Sequence, residues 1–180
     1  MTSYTSSGDL NGSIACNIAS SPNVAPRRLA TDNLNNIYVV GNYTLYNPNG
    51  FGGFVWKVNS SLSSVFVNLL GQNTEALFAD SVYGVVTDSQ NNYIITGGMP
   101  NPVGEPAGTE AFISKYDSTG NQIWISTLGN KSEVFGLDVV ITPSNELYVL
   151  GNVSGGLDGN AGIGAYDLFL AKFNSSGKKE

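Results

Sequence analysis

Acid–base chemistry in this chain would rest first on carboxylates, because histidine is absent and cysteine occurs once. The 180 residues include no histidine, which excludes Ser-His-Asp and Cys-His catalysis and removes the commonest zinc ligand. The single cysteine, Cys16, can build neither an internal disulfide nor a thiolate metal site. The 14 Asp and Glu are scattered over loops and turns. A glycosidase needs two carboxyls held roughly 5–10 Å apart, and no spacing in the sequence establishes such a pair. The stretches Asp32-Asn-Leu-Asn-Asn36 and Leu157-Asp-Gly-Asn-Ala-Gly162 lack the regular acid spacing and closing Glu of an EF-hand. Turn formation accounts for them better. No catalytic residue, metal site or cofactor is expected, and the chain reads as non-enzymatic.

Composition excludes further classes. A net charge of −6 leaves no basic patch to replace counterions on a phosphate backbone, so nucleic acid is not an expected partner. No apolar run approaches the ~18 residues of a membrane span, and the amino terminus shows no basic-then-apolar leader. Only 12% of residues are charged, yet 41% are hydrophobic, enough to build a core.

The elements that must position any site repeat along the chain. Leu29-Ala-Thr-Asp-Asn-Leu-Asn-Asn-Ile-Tyr-Val-Val-Gly41 aligns with Val85 to Gly97 and with Val139 to Gly151, the closing glycines standing 56 and 54 residues apart. A second block, Phe54-Val-Trp-Lys-Val-Asn-Ser-Ser61, recurs at Phe112 and Phe169, its lysines Lys57, Lys115 and Lys172 being 58 and 57 apart. Within one period the β-branched and aromatic runs are bounded by Asn, Asp, Ser and Gly, which predicts four strands. In the middle repeat these are A (Tyr83 to Thr87), B (Tyr93 to Gly97), C (Ala111 to Tyr116) and D (Gln122 to Leu128). Four antiparallel strands at this period predict an all-β, propeller-like chain of three blades. The expected divisions are an amino-terminal strand and connection at 1–27, then blades at 28–82, 83–136 and 137–180. The third blade lacks its outer strand. A strand from the amino terminus or from another copy is expected to complete it.

Glu110-Ala-Phe-Ile-Ser-Lys-Tyr-Asp-Ser-Thr-Gly-Asn-Gln-Ile-Trp-Ile-Ser-Thr-Leu-Gly129, together with the apolar-Asp strand and Tyr-containing strand of Gly84 to Gly97 earlier in the chain, resembles the SBBP-type β-propeller repeat of bacterial surface and secreted proteins. The match is strongest in the middle blade. Leu62-Ser-Ser replaces the Gly-Asn turn in the first, and Thr142-Pro143 stands where the family has Asp in the third. The resemblance implies a propeller fold, an extracellular or cell-surface location and no agreed enzymatic activity.

Candidate sites follow from this layout. Long B–C loops (Asn42 to Gly53, Gly98 to Glu110, Asn152 to Asp167) and D–A loops share one end of a propeller, so a ligand face is expected there. It would carry Tyr43, Tyr46, Phe51, Phe78 and Tyr166, with Glu75, Asp80, Glu133, Asp158 and Asp167, and suits glycans or a surface protein. Asn-X-Ser/Thr sequons stand at Asn11, Asn42, Asn59, Asn130, Asn152 and Asn174, all expected in exposed loops where a glycan could be added. The expected strand-exchange segment is Ser13-Ile14-Ala15-Cys16-Asn17-Ile18, because the chain starts and stops at one phase of the repeat. Two functions remain open at this point: a self-assembling surface protein joined head to tail as a ring or filament, or a ligand-binding propeller of which this chain is part.

Overall fold

The computed structural model describes residues 2–180 apart from 5, 9, 19–20, 22, 46–49, 72–80, 102–107 and 130–132. It is all-β. A short hairpin, β1 (Thr2–Tyr4) and β2 (Leu10–Ser13), precedes three antiparallel sheets. The first sheet holds β3 (Val24–Thr31), β4 (Ile37–Leu45), β5 (Gly50–Val58) and β6 (Ser64–Leu70). The second holds β7 (Ser81–Thr87), β8 (Tyr93–Pro100), β9 (Thr109–Tyr116) and β10 (Gln122–Leu128). The third has three strands, β11 (Val134–Ile141), β12 (Leu147–Val153) and β13 (Asp167–Phe173). Strands follow chain order within each sheet, as propeller blades require.

The turns explain this regularity. In the A–B hairpin of blade 1, Asp32 Oδ1 accepts the N–H groups of Leu34 and Asn36, while Asn35 takes the left-handed conformation. Asp88 and Asn91 repeat this in blade 2. Thr142 and Asn145 do so in blade 3, where the hydroxyl of Thr142 replaces the carboxylate. The side chain that replaces Asp still accepts a backbone N–H, so the departure from the repeat is chemically conservative. The C–D hairpins use Asn59, Asp117 and Asn174 in the same way.

First strands begin two to four residues before the expected boundaries of 28, 83 and 137, at Val24, Ser81 and Val134. A bulge in each, between Pro26 and Arg28, Val82 and Gly84, and Gly136 and Asp138, carries pairing past the repeat glycine. That close approach explains the glycine: a β-carbon on Gly97 would collide with the Ser81 carbonyl and lie 2.9 Å from the Phe112 ring.

The cores lie between sheets. The face of each blade that looks back along the chain packs on the forward face of the blade before it. Tyr38, Val40 and Val55 on the front of blade 1 meet Val85, Tyr93, Ile95 and Phe112 on the back of blade 2. Ile94, Ala111 and Ile113 on the front of blade 2 meet Val139, Val149, Phe169 and Phe173 on the back of blade 3. Each valine, isoleucine or phenylalanine buried in this way contributes about 1.5–3 kcal/mol. The back of blade 1 is covered differently. Ile14, Cys16 and Ile18 alternate inward from an extended segment and pack on Val39, Phe54 and Trp56. The amino terminus thus lies against blade 1 and leaves the third sheet with three strands.

Candidate functional site

The joint between blades is best seen between blades 1 and 2, where polar and aromatic groups lock the sheets. Tyr38 and Tyr93 lie 5.0 Å apart, and Tyr93 stacks on Tyr116 at the same separation. Burial, and for Tyr38 the neighbouring Asp32 carboxylate as well, pushes both hydroxyls well above the usual range, so they stay protonated; Tyr38 donates to Asp32 and Tyr93 accepts from the Asn68 amide. Lys57 lays its stem across this layer, donates to the Ser118 carbonyl of blade 2 at 2.7 Å and sits 5.1 Å from the Tyr38 ring centroid. The repeated lysines differ in blades 2 and 3. Lys115 pairs with Asp88 at 2.8 Å, and Lys172 with Glu146 and Glu180, all within their own blades.

The front of blade 3 has the surface of such a joint without a blade on it. Leu168 and Leu170 are 80% and 69% exposed, whereas their counterparts in blade 2, Ala111 and Ile113, are 2% and 1% exposed. Val140 and Leu150 complete the open apolar surface. In blades 1 and 2 the third strand pairs with a fourth, β5 with β6 and β9 with β10. In blade 3, β13 has β12 on one side. On its other side, among the described residues, the last turn comes alongside, with Glu180 N–H donating to the Lys172 carbonyl at 3.0 Å. A groove of about 570 Å³ follows that edge, between Leu157 and Ile163 of the B–C loop and Lys179 of the last turn. The opposite end of the stack is its complement: Leu29 on the back of blade 1 is 63% exposed, while the equivalent Val85 and Val139 are 5% and 2% exposed.

The expected ligand face is not assembled as read from the sequence. Tyr43 is buried, its ring over Gly52 and its hydroxyl donating to the Leu70 carbonyl, because β4 continues past Gly41 to Leu45. Phe51 is exposed but sits within β5, paired with Thr44. Tyr166 is exposed and donates to Glu133 at 2.5 Å, and that hydrogen bond raises its hydroxyl's affinity for the proton. Tyr46, Glu75, Phe78 and Asp80 lie outside the described residues. The loop acids are engaged locally: Asp158 with Lys179, and Asp167 with the N–H groups of Ile163 and Gly164. Among the described residues no group of three or more acids and cysteine could hold a metal ion.

The sequons divide in the same way. Asn42 and Asn152 lie within β4 and β12 instead of in exposed loops, because the strands outrun the repeat glycines. Asn59 and Asn174 spend their Oδ1 atoms on two turn N–H groups each. Asn11 is on β2, and Asn130 lies outside the described residues. Of the strand-exchange segment, Ile14, Cys16 and Ile18 face blade 1 while Ser13, Ala15 and Asn17 face solvent. Burial raises the pKa of the Cys16 thiol, against a nucleophilic role.

Compared with known protein families, the chain matches none. An uncharacterized WD repeat-containing protein of Acanthamoeba polyphaga mimivirus is 24% identical over 173 residues, an alignment covering 71% of this chain and 12% of that protein. WD repeats build four-stranded propeller blades, in agreement with the sheets described above. The Trp-Asp dipeptide of that repeat does not occur here: Trp56 precedes Lys57 and Trp124 precedes Ile125.

Proposed function

We propose that the chain is a non-enzymatic, propeller-type repeat scaffold, extracellular or surface-attached, that works by associating sheet to sheet with protein partners, copies of itself included. The observation that carries this is the front of blade 3, where leucines are exposed at positions buried in the other blades, beside the edge of β13. Unpaired edges and open apolar faces are association templates. The likeness to SBBP-type repeats, with its surface and secreted members, supports the location. Two copies meet head to tail, the Leu29 end of one against the Leu168 and Leu170 end of the next, and residues 13–18 add along β13 as β10 adds along β9. Such contacts either close into a ring or propagate. A second reading, recognition of glycans or a protein at the B–C loops, draws on the exposed Tyr166 beside Glu133.

Size-exclusion chromatography with light scattering tests the association. The mass of the wild-type protein rises with concentration, and that of the double variant Leu168→Lys, Leu170→Lys stays at one chain. Identical masses for both proteins at every concentration would sink this reading.

A further inference from the structure

The short amino-terminal hairpin is paired like the outer half of a blade. Tyr4 faces Leu10, Ser3 faces Gly12 with Asn11 skipped, and Thr2 faces Ser13. β9 and β10 follow the same rule: Tyr116 faces Gln122, Lys115 faces Trp124 past Ile123, and Ser114 faces Ile125. β5 and β6 repeat it, with Val65 skipped between Ser64 and Phe66. Gly8 takes a positive φ four residues after Tyr4, as Gly120 and Gly177 do after Tyr116 and Phe173. Pairing, bulge and turn coincide, so β1 holds the place of the end of a third strand. Its three residues stand where Ala171, Lys172 and Phe173 would stand in blade 3. Blade 3 has its own copy of this corner: the turn from Asn174 to Lys178 brings Lys179 opposite Phe173, as Leu10 lies opposite Tyr4.

We infer that β1 is a stand-in for β13 of a second copy, and that docking trades the β1–β2 pairing for residues 13–18 laid along that strand. This rests on the association proposed above and specifies its register and what opposes it. In the register of β10 on β9, Ile14 comes opposite Leu170 and Cys16 opposite Leu168. The two leucines, open on the front of blade 3, then share one sheet face with Ile14 and Cys16. That face already packs on Val39, Phe54 and Trp56 at the back of the donor's blade 1, so the new joint continues an existing one. The segment does not serve β13 of its own chain, because two joints separate the back of blade 1 from the front of blade 3. Lys179 and Glu180 of the acceptor hold the places of Leu10 and Asn11, so residues 1–11 of the donor must leave. What they give up is a two-stranded ribbon, the weakest form of sheet.

Removing the stand-in is the test. By light scattering, the chain without Met1 to Asn11 is expected to associate roughly tenfold more tightly than the full chain, since the donor loses a competing strand and keeps residues 13–18. In the full chain carrying Leu168→Cys, mild oxidation is expected to join Cys16 of one copy to position 168 of the other, read as a mixed disulfide peptide after digestion. Ile123→Cys, at an exposed position on β10, is expected to give no such link to Cys16. A truncated chain that associates no more tightly than the full chain overturns the inference and leaves the association reading standing. Association of the Leu168→Cys protein without the Cys16 link does the same. Single chains at every concentration, full and truncated alike, overturn both.

Discussion

Asp88 shows how single polar residues serve the blades. Burial opposes its charge, but the Lys115 ammonium at 2.8 Å and the donors of Asn92 outweigh that cost and hold the carboxyl below the usual range. A folded-state pKa lowered in this way stabilises the protein fully above the unfolded value of about 3.9. That stability is lost as pH falls through the folded value. Asp88→Asn keeps the oxygen that closes the turn but leaves Lys115 without its counter-charge. We expect a loss of about 3 kcal/mol at neutral pH, with a shallower decline in acid than wild type; urea unfolding between pH 2 and 7 reads both. Equal acid slopes in the two proteins would place the pH dependence elsewhere. The turn role of Asp32, Asp88 and Asp117 was readable from the sequence, because Asx turns leave a fixed pattern of Asp, Asn and Gly. Tyr43 was not. Gly41 reads as the end of a strand, whereas it marks a bulge opposite Pro26 that β4 passes through.

Among the elements, the amino-terminal segment is the clearest departure from a simple count of strands. Its alternation, with Ile14, Cys16 and Ile18 inward, is that of a fourth strand, and Gly8 takes the positive φ that Gly120 and Gly177 take in later C–D turns. The sequence therefore discloses its character as a D strand. Where it lies depends on which apolar face is uncovered, and a single repeat unit carries no record of that. It covers the back of blade 1. Deleting Met1 to Ala19 is predicted to expose Trp56, which packs with Ile18, and to shift tryptophan emission to longer wavelength, with the three sheets intact and only the β1–β2 hairpin lost from the circular dichroism. Emission identical to that of the full chain would show that the segment does not cover this face.

At the scale of the whole molecule, three sheets stack through two joints of one design, and the front of the last carries the same design uncovered. The period of the repeat made this stacking predictable, since runs such as Ile37-Tyr-Val-Val40 are too apolar for a sheet with a wet face. The polar contact of the first joint was hidden, because Asn42 looks like a sequon until the Val82 N–H is found against its side chain. Hydrogen exchange at two protein concentrations tests the open joint most directly. At low concentration the outward amides of β13 should exchange fast while those of β5 and β9, paired with fourth strands, exchange slowly. Raising the concentration should slow β13 and the residues 13–18 that pair with it, and leave β5 and β9 unchanged. Amides of β13 that are as slow as those of β9 at every concentration, or that stay fast at all of them, would contradict an open association face.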